Sequence, residues 1–291
     1  MSGTSERIHR VGVVGCGLMG SGIAEVTARA QLDVVIVEAT DTTLSEGRKR
    51  VESSLARAVR KGKLTGDEQA AAQSRMTLTT DYRQLADRQL VVEAVVESEP
   101  AKVTVFERLD QVVEDPNAIL ASNTSSIPIM RLAMATSRPA QVVGIHFFNP
   151  VPVLQLVEVV TSLLSDPSVV DAAETFASEQ LGKHVIRSQD RAGFIVNSLL
   201  IPYLLSAIRM LESGFATAAD IDTGMVEGCA HPMGPLALTD LIGLDTTMAV
   251  AISLYEEFKE PLFAPPPLLS RMVSAGLLGR KTSRGFYSYG R

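Results

Sequence analysis

Cysteine and histidine are scarce in this chain of 291 residues, with two of the first and four of the second. Two cysteines, Cys16 and Cys229, do not make a disulfide framework at this length, and neither has a metal-type partner at short spacing, so no metal is expected. Cys16 lies inside a glycine loop and reads as a small filler rather than a nucleophile. No apolar run reaches the length of a membrane span. The opening segment from Met1 to Arg10 is polar rather than signal-like. A soluble, cytoplasmic protein with no membrane partner is therefore expected. The net charge is −6 and no long basic run occurs, which argues against nucleic acid. It leaves room for an anionic cofactor, because a helix N-terminus holds phosphate without net positive charge.

What is present is a globular composition, 46% hydrophobic and 21% charged, long enough for two domains. Short, β-branched, uninterrupted apolar runs predict buried strands over 8–14, 33–37, 90–96, 118–121 and 141–148, with a less regular one over 156–160. Helices are predicted over 19–30, 42–63, 100–113 and 167–181, the last closed by Gly182. Near residue 190 the texture changes. Strand-like runs stop, and helices are predicted over 194–212, 218–227, 236–259 and 268–275. The expected fold is an α/β Rossmann-like N-terminal domain with a mostly parallel sheet over 1–189, followed by an all-α domain over 190–291.

Gly15-Cys-Gly17-Leu18-Met19-Gly20 fits G-x-G-x-x-G. The pattern alone is weak, but here it follows a strand and opens a helix. Gly15 allows the tight turn, Gly17 lets the backbone approach a pyrophosphate, and Gly20 lets helix and strand pack closely. Glu38 ends the second strand, 18 residues beyond Gly20. A carboxylate there binds both ribose hydroxyls of NAD and repels a 2′-phosphate. The bland alternative, a structural turn beside an ordinary surface Glu, does not account for the whole order of strand, loop, helix, strand and acid.

Residues 121–158 are dense in polar side chains. Ser122-Asn-Thr-Ser-Ser126 follows a predicted buried strand, where the carboxyl end of an open α/β sheet usually binds its ligand. Capping of a helix beginning near Pro128 explains one of these residues and does not need all five. His146 ends another buried strand. A lone His there is more often structural, but Glu158 follows within the apolar run Leu156-Val-Glu-Val-Val160, and a buried acid is costly unless paired. A His146–Glu158 pair makes a general base suited to alcohol oxidation, the redox step belonging to the cofactor.

Ser122-Asn-Thr-Ser-Ser126, His146-Phe-Phe-Asn-Pro150 with Glu158, and Gly193-Phe-Ile-Val-Asn197 together resemble the L-3-hydroxyacyl-CoA dehydrogenases. The resemblance continues through Pro232-Met-Gly-Pro235, Asp240, Gly243-Leu-Asp245, Gly279-Arg-Lys-Thr282 and Gly285-Phe-Tyr287, in order along nearly the whole chain. It implies His146 as base and Glu158 as its partner, with Ser125 and Asn197 holding the 3-oxygen and thioester region of an acyl-CoA. It implies Glu97, Lys102 and Asn149 near the NAD, and a homodimer paired through the helical domain, with substrate in the cleft between domains. Chain length points to the free-standing enzyme rather than a multifunctional one, and with no arginine evident to hold a distal carboxylate the short acyl chain of 3-hydroxybutyryl-CoA is the expected substrate. One departure is Ser198, where the family usually carries Arg. His231 stands where many relatives have an aromatic residue, and reads best as a packing residue.

Three other readings remain. A 3-hydroxyadipyl-CoA dehydrogenase of aromatic-acid breakdown needs an arginine for the distal carboxylate, and none is evident. A non-catalytic NAD-binding protein has no reason to keep His146, Glu158, Ser125 and Asn197 together. A hydroxyacid dehydrogenase of similar plan expects an arginine clamp near the nicotinamide.

Overall fold

The structure, a computed structural model, describes residues 7–290; the start of the polar opening segment, residues 1–6, lies outside the described residues. The chain divides into two compact units, one up to Asp190 and one from Arg191.

The first unit is built on eight strands: β1 (Arg10–Val14), β2 (Asp33–Val37), β3 (Met76–Thr79), β4 (Leu90–Glu93), β5 (Ile119–Ser122), β6 (Val142–Phe147), β7 (Leu156–Thr161) and β8 (His184–Gln189). Their order across the sheet is β3-β2-β1-β4-β5-β6-β7-β8. Every neighbouring pair is parallel except β6 and β7, so the last two strands run against the other six. Sequence order turns back at β1–β4, the switch point at which open α/β sheets bind ligands outside the carboxyl ends of their strands. Helices α1 (Leu18–Arg29), α2 (Asp41–Arg60), α3 (Gly66–Ser74), α4 (Glu99–Val112), α5 (Ile129–Ala133) and α6 (Pro167–Thr175) complete the unit. Val11, Val13, Val34, Ile36, Leu90, Val92, Val143 and Ile145 pack its core against Ile23, Leu55 and Phe176.

The predicted mostly parallel sheet is present, with corrections at its margins. β3, β8 and α3 are additional to the expected elements. β3 and β8 are edge strands, and most of their residues are half-buried or exposed, so neither shows a continuous apolar run. The fourth strand stops at Glu93 rather than at 96, because the chain turns there to meet α4. The helix expected over 167–181 is α-helical only to Thr175 and ends in a π-turn over Phe176–Gln180, after which Gly182 takes a φ of 66°.

The second unit is helical: α7 (Val196–Glu212), α8 (Ala218–Cys229), α9 (Pro235–Ile242), α10 (Leu244–Phe258) and α11 (Pro267–Ser274). The single helix expected over 236–259 is two, bent by 97° at Gly243, whose φ of 105° suits only glycine. The bend lets Leu236 on α9 and Leu244 and Leu254 on α10 reach one core with Leu205, Ile208 and Leu269. The closing segment is pinned by one buried side chain. Asp240 accepts hydrogen bonds from Phe286 N and Tyr287 N and from the Tyr289 hydroxyl, each at 2.9 Å. Among the described residues no single helix is long and apolar enough to cross a membrane.

Candidate active site

The glycine loop runs from the end of β1 into α1, and each glycine has a distinct geometric reason. Gly15 has a φ of 91°, and a Cβ there would stand 2.8 Å from the Ala94 carbonyl oxygen. A Cβ on Gly20 would fall 1.8 Å from the Gly15 carbonyl oxygen, so only glycine lets the helix start this close to the turn. At Gly17 a Cβ would meet nothing within 4 Å, which leaves that backbone open to a ligand. Leu18 and Met19 begin α1; Leu18 is exposed and Met19 packs on the core. Gly17, the N-cap, lends α1 no side-chain oxygen. The free N–H groups and helix dipole there suit a phosphate.

Glu38 stands beside this loop, its Oε1 accepting from Cys16 N and its Oε2 from Ala39 N at 3.2 Å. The donor set therefore fits a dinucleotide: open backbone, a helix start, and a carboxylate at the end of β2. Arg50 of α2, which sequence reasoning missed, donates to the Cys16 carbonyl at 3.3 Å. Cys16 itself is fully buried against Gly47 of α2. Burial above all, with the Glu38 charge adding and Arg50 opposing, pushes its thiol pKa up to about 12. That is the state of an inert filler, as expected.

The carboxyl ends of β4 and β5 hold a cluster of charges. Glu97 lies on the connection to α4, its side chain about one-third exposed. Its Oε1 accepts from Thr124 Oγ1 at 2.6 Å, Ser125 N at 2.9 Å, Ser126 N at 3.1 Å and Ser126 Oγ at 2.8 Å. Burial pushes the Glu97 pKa up, but the Lys102 ammonium and these hydrogen bonds outweigh it and hold the carboxyl below its ordinary value. Lys102 is buried and lies 3.3 Å from Glu97 Oε2 and 2.6 Å from Glu93 Oε1. Glu93, also buried, accepts in addition from Val95 N at 2.7 Å and Ser122 Oγ at 2.6 Å. Glu93 went unnoticed in the sequence. The signal was an acid inside an apolar run, the same one that marks Glu158.

These contacts correct the capping expectation. The start of α5 is capped by Asp190, whose carboxylate accepts from Ile129 N at 2.8 Å and Met130 N at 2.7 Å. Thr124, Ser125 and Ser126 wrap Glu97 instead, and Ser122 donates to Glu93. Asn123 reaches sideways, its Oδ1 accepting from Phe147 N at 2.9 Å, which ties this loop to the end of β6 beside His146.

His146 and Glu158 are directly opposite each other in the one antiparallel pair of the sheet. Nδ1 of His146 is 2.7 Å from Oε2 of Glu158. Glu158 has no exposed surface and His146 very little, and the imidazole lies against the Phe148 ring at 4.5 Å between centroids. The turn between the two strands carries Asn149, which is exposed. Lys183 props that turn, its Nζ donating to the carbonyls of Val151 and Leu154 at 2.7 Å each. Sequence reasoning missed this lysine as well; burial lowers its pKa, with Arg29 adding to the effect.

Ser125, His146, Glu158, Glu97, Lys102 and Asn149 thus all belong to the first unit. Asn197 lies in the first turn of α7 in the second unit, half-buried. The neighbouring Ser198 folds back on the chain, its Oγ donating to the Phe194 carbonyl at 2.6 Å. His231 packs as expected of a structural residue, its ring edge-on to Tyr203 and its Nδ1 3.1 Å from the Tyr203 hydroxyl.

Known proteins match both units. Residues 10–191 match the NAD binding domain of 3-hydroxyacyl-CoA dehydrogenase, and residues 193–289 its C-terminal domain. A 3-hydroxybutyryl-CoA dehydrogenase of Mycobacterium tuberculosis is 58% identical over 285 residues, covering 98% of this chain and 100% of that protein. The mitochondrial hydroxyacyl-coenzyme A dehydrogenase of Homo sapiens is 41% identical, covering 97% of this chain and 91% of its own length. The crystal structure of an (S)-3-hydroxybutyryl-CoA dehydrogenase from Ralstonia eutropha superposes with a TM-score of 0.92 at 45% identity, covering 98% of this chain and 100% of that one. With a dinucleotide cradle and a buried His–Glu pair in the first unit, and family matches over nearly the full length, this chain belongs to the NAD-dependent 3-hydroxyacyl-CoA dehydrogenase family.

Proposed function

We propose that this enzyme interconverts (3S)-3-hydroxybutyryl-CoA and its 3-oxo counterpart, working in the cytoplasm as a homodimer without membrane or nucleic-acid partners. The observation that carries the chemistry is the His146–Glu158 pair at the end of β6. NAD, when bound, supplies the acceptor for the hydride that leaves C3. His146 takes the hydroxyl proton. Its Nδ1 is engaged by Glu158, so the proton goes to Nε2, and the Glu158 carboxylate stabilises the imidazolium that forms. Ser125 and Asn197 hold the 3-oxygen and the thioester region. Glu97, Lys102 and Asn149 stand near the cofactor, and the Gly15–Gly20 loop with Leu18 and Met19 cradles its pyrophosphate. The short acyl chain rests on the names of the relatives. NADH formation from 3-hydroxybutyryl-CoA, longer 3-hydroxyacyl-CoAs and 3-hydroxyadipyl-CoA tests it. A higher kcat/KM for either competitor overturns the substrate, and no NADH from any of them overturns the activity.

NAD is preferred to NADP because Glu38 places a negative charge beside the glycine loop. Replacing Glu38 with Gln should narrow the NAD/NADP ratio of kcat/KM by about tenfold or more, roughly 1.4 kcal/mol. A wild-type enzyme using both equally would remove Glu38 from ribose recognition.

The homodimer is assigned to the helical unit, which leaves Leu199, Phe215, Leu241 and Ile252 exposed on a small body. Light scattering at micromolar concentration should give twice the chain mass, and a monomer there refutes the assignment.

A further inference from the structure

We infer that Glu93 is a positioning residue for the reaction, setting the loop that carries Ser125 through two hydrogen-bonded arms. The first arm runs through Ser122, whose Oγ donates to Glu93 Oε2 at 2.6 Å and accepts from Thr124 N at 3.1 Å. The second runs through Lys102, which sits between Glu93 Oε1 and Glu97 Oε2. Glu97 in turn receives the backbone N–H groups of Ser125 and Ser126. Both arms therefore converge on residues 124–126 from one buried carboxylate. The inference rests on the reading that Ser125 holds the substrate.

A carboxylate without exposed surface is an expensive way to stabilise a fold, and an apolar side chain of similar size commonly does as well or better. Glu93 stands at the carboxyl end of β4, paired with Val14 on one side and Ser122 on the other, between the glycine loop and the Ser125 loop. Three donors hold it: Lys102 Nζ, Val95 N and Ser122 Oγ. The charge arithmetic gives it a further part. One ammonium faces two carboxylates and lies closer to Glu93, at 2.6 Å, than to Glu97, at 3.3 Å. Glu97 Oε1 is thereby left to gather the loop N–H groups. Without the Glu93 charge, Lys102 pairs with Glu97 alone and draws it away from the loop.

The test is a double-mutant cycle of Glu93→Gln and Ser125→Ala, read as kcat at saturating NAD and acyl-CoA, with melting temperatures alongside. Glu93→Gln should lower kcat by about tenfold or more, the usual effect of a small misplacement of a reacting group. The double variant should be no slower than Ser125→Ala alone, since Glu93 acts through Ser125. Losses that multiply would overturn the positioning role and leave Glu93 a stabilising residue. An unchanged kcat in Ser125→Ala would overturn the reading of Ser125, and the positioning role with it. If Glu93→Gln does not fold, Ser122→Ala cuts only the first arm; in the same cycle, an unchanged kcat or a multiplying loss overturns the proposal.

Discussion

His146→Gln should lose about 10²–10⁴-fold in turnover, the usual contribution of a general base, while NADH still binds. Glutamine is the informative replacement. Its amide can donate to the Glu158 carboxylate, which His146 Nδ1 contacts at 2.7 Å, but it cannot take up a proton. His146→Ala should lose as much turnover and also stability, because it removes the imidazole that contacts the fully buried Glu158, at a cost of about 1–3 kcal/mol. NADH affinity should survive in both, since the glycine loop and Glu38 lie on other strands. Glu158→Gln should fall less far than His146→Gln, because the base remains and only its orientation and the support of its imidazolium are lost. Steady-state kinetics with NADH titration decides. Turnover retained in His146→Gln would move the base elsewhere, and lost NADH binding would show that the substitution damaged the cofactor site.

The second large effect is on stability, in the helical unit. Asp240→Ala should lower the melting temperature by roughly 5–15 °C, from a loss of a few kcal/mol. Asp240 is almost without exposed surface and accepts three hydrogen bonds from the closing segment. Alanine leaves the N–H groups of Phe286 and Tyr287 without their acceptor, each costing about 1–3 kcal/mol where water cannot replace it. The glycines of that segment belong to the same clamp: a Cβ on Gly279 would stand 2.3 Å from the Asp240 carbonyl oxygen, and one on Gly285 would stand 2.0 Å from Oδ1. Asp240→Asn keeps one acceptor oxygen and should lose about half as much. An unchanged melting temperature in Asp240→Ala would show that the closing segment is held by its packing alone.

The clamp changes the meaning of several motifs that carried the family resemblance. Asp240, Gly279 and Gly285 form a structural latch, and Gly243 bends α9 into α10. Lys281 meets Asp245 at 2.5 Å. They recur in the pattern beside His146 and Ser125, yet their contacts hold the helical unit together.

The order of the first unit was legible because each of its signals is local. A buried interior strand must be apolar along a short run, and β1, β2, β4, β5 and β6 are. A turn that must reach φ near 90° and let a helix start against its own carbonyl needs glycine, so Gly15 and Gly20 announce the loop. Glu158 was visible because an acid in an apolar strand needs a partner, and His146 was near enough in the chain to be named. Only the tertiary structure decided the rest. Edge strands β3 and β8 are half-exposed and carry no apolar run, so pairing alone makes them strands. The reversal of β7, which sets Glu158 directly opposite His146, is a matter of sheet order. Asp190 caps a helix some 60 residues before it, and Glu93 anchors a serine 29 residues beyond it. Periodicity reports how a residue meets its own helix or strand. The partner of a buried charge is chosen by the packing of remote segments, and no local pattern records it.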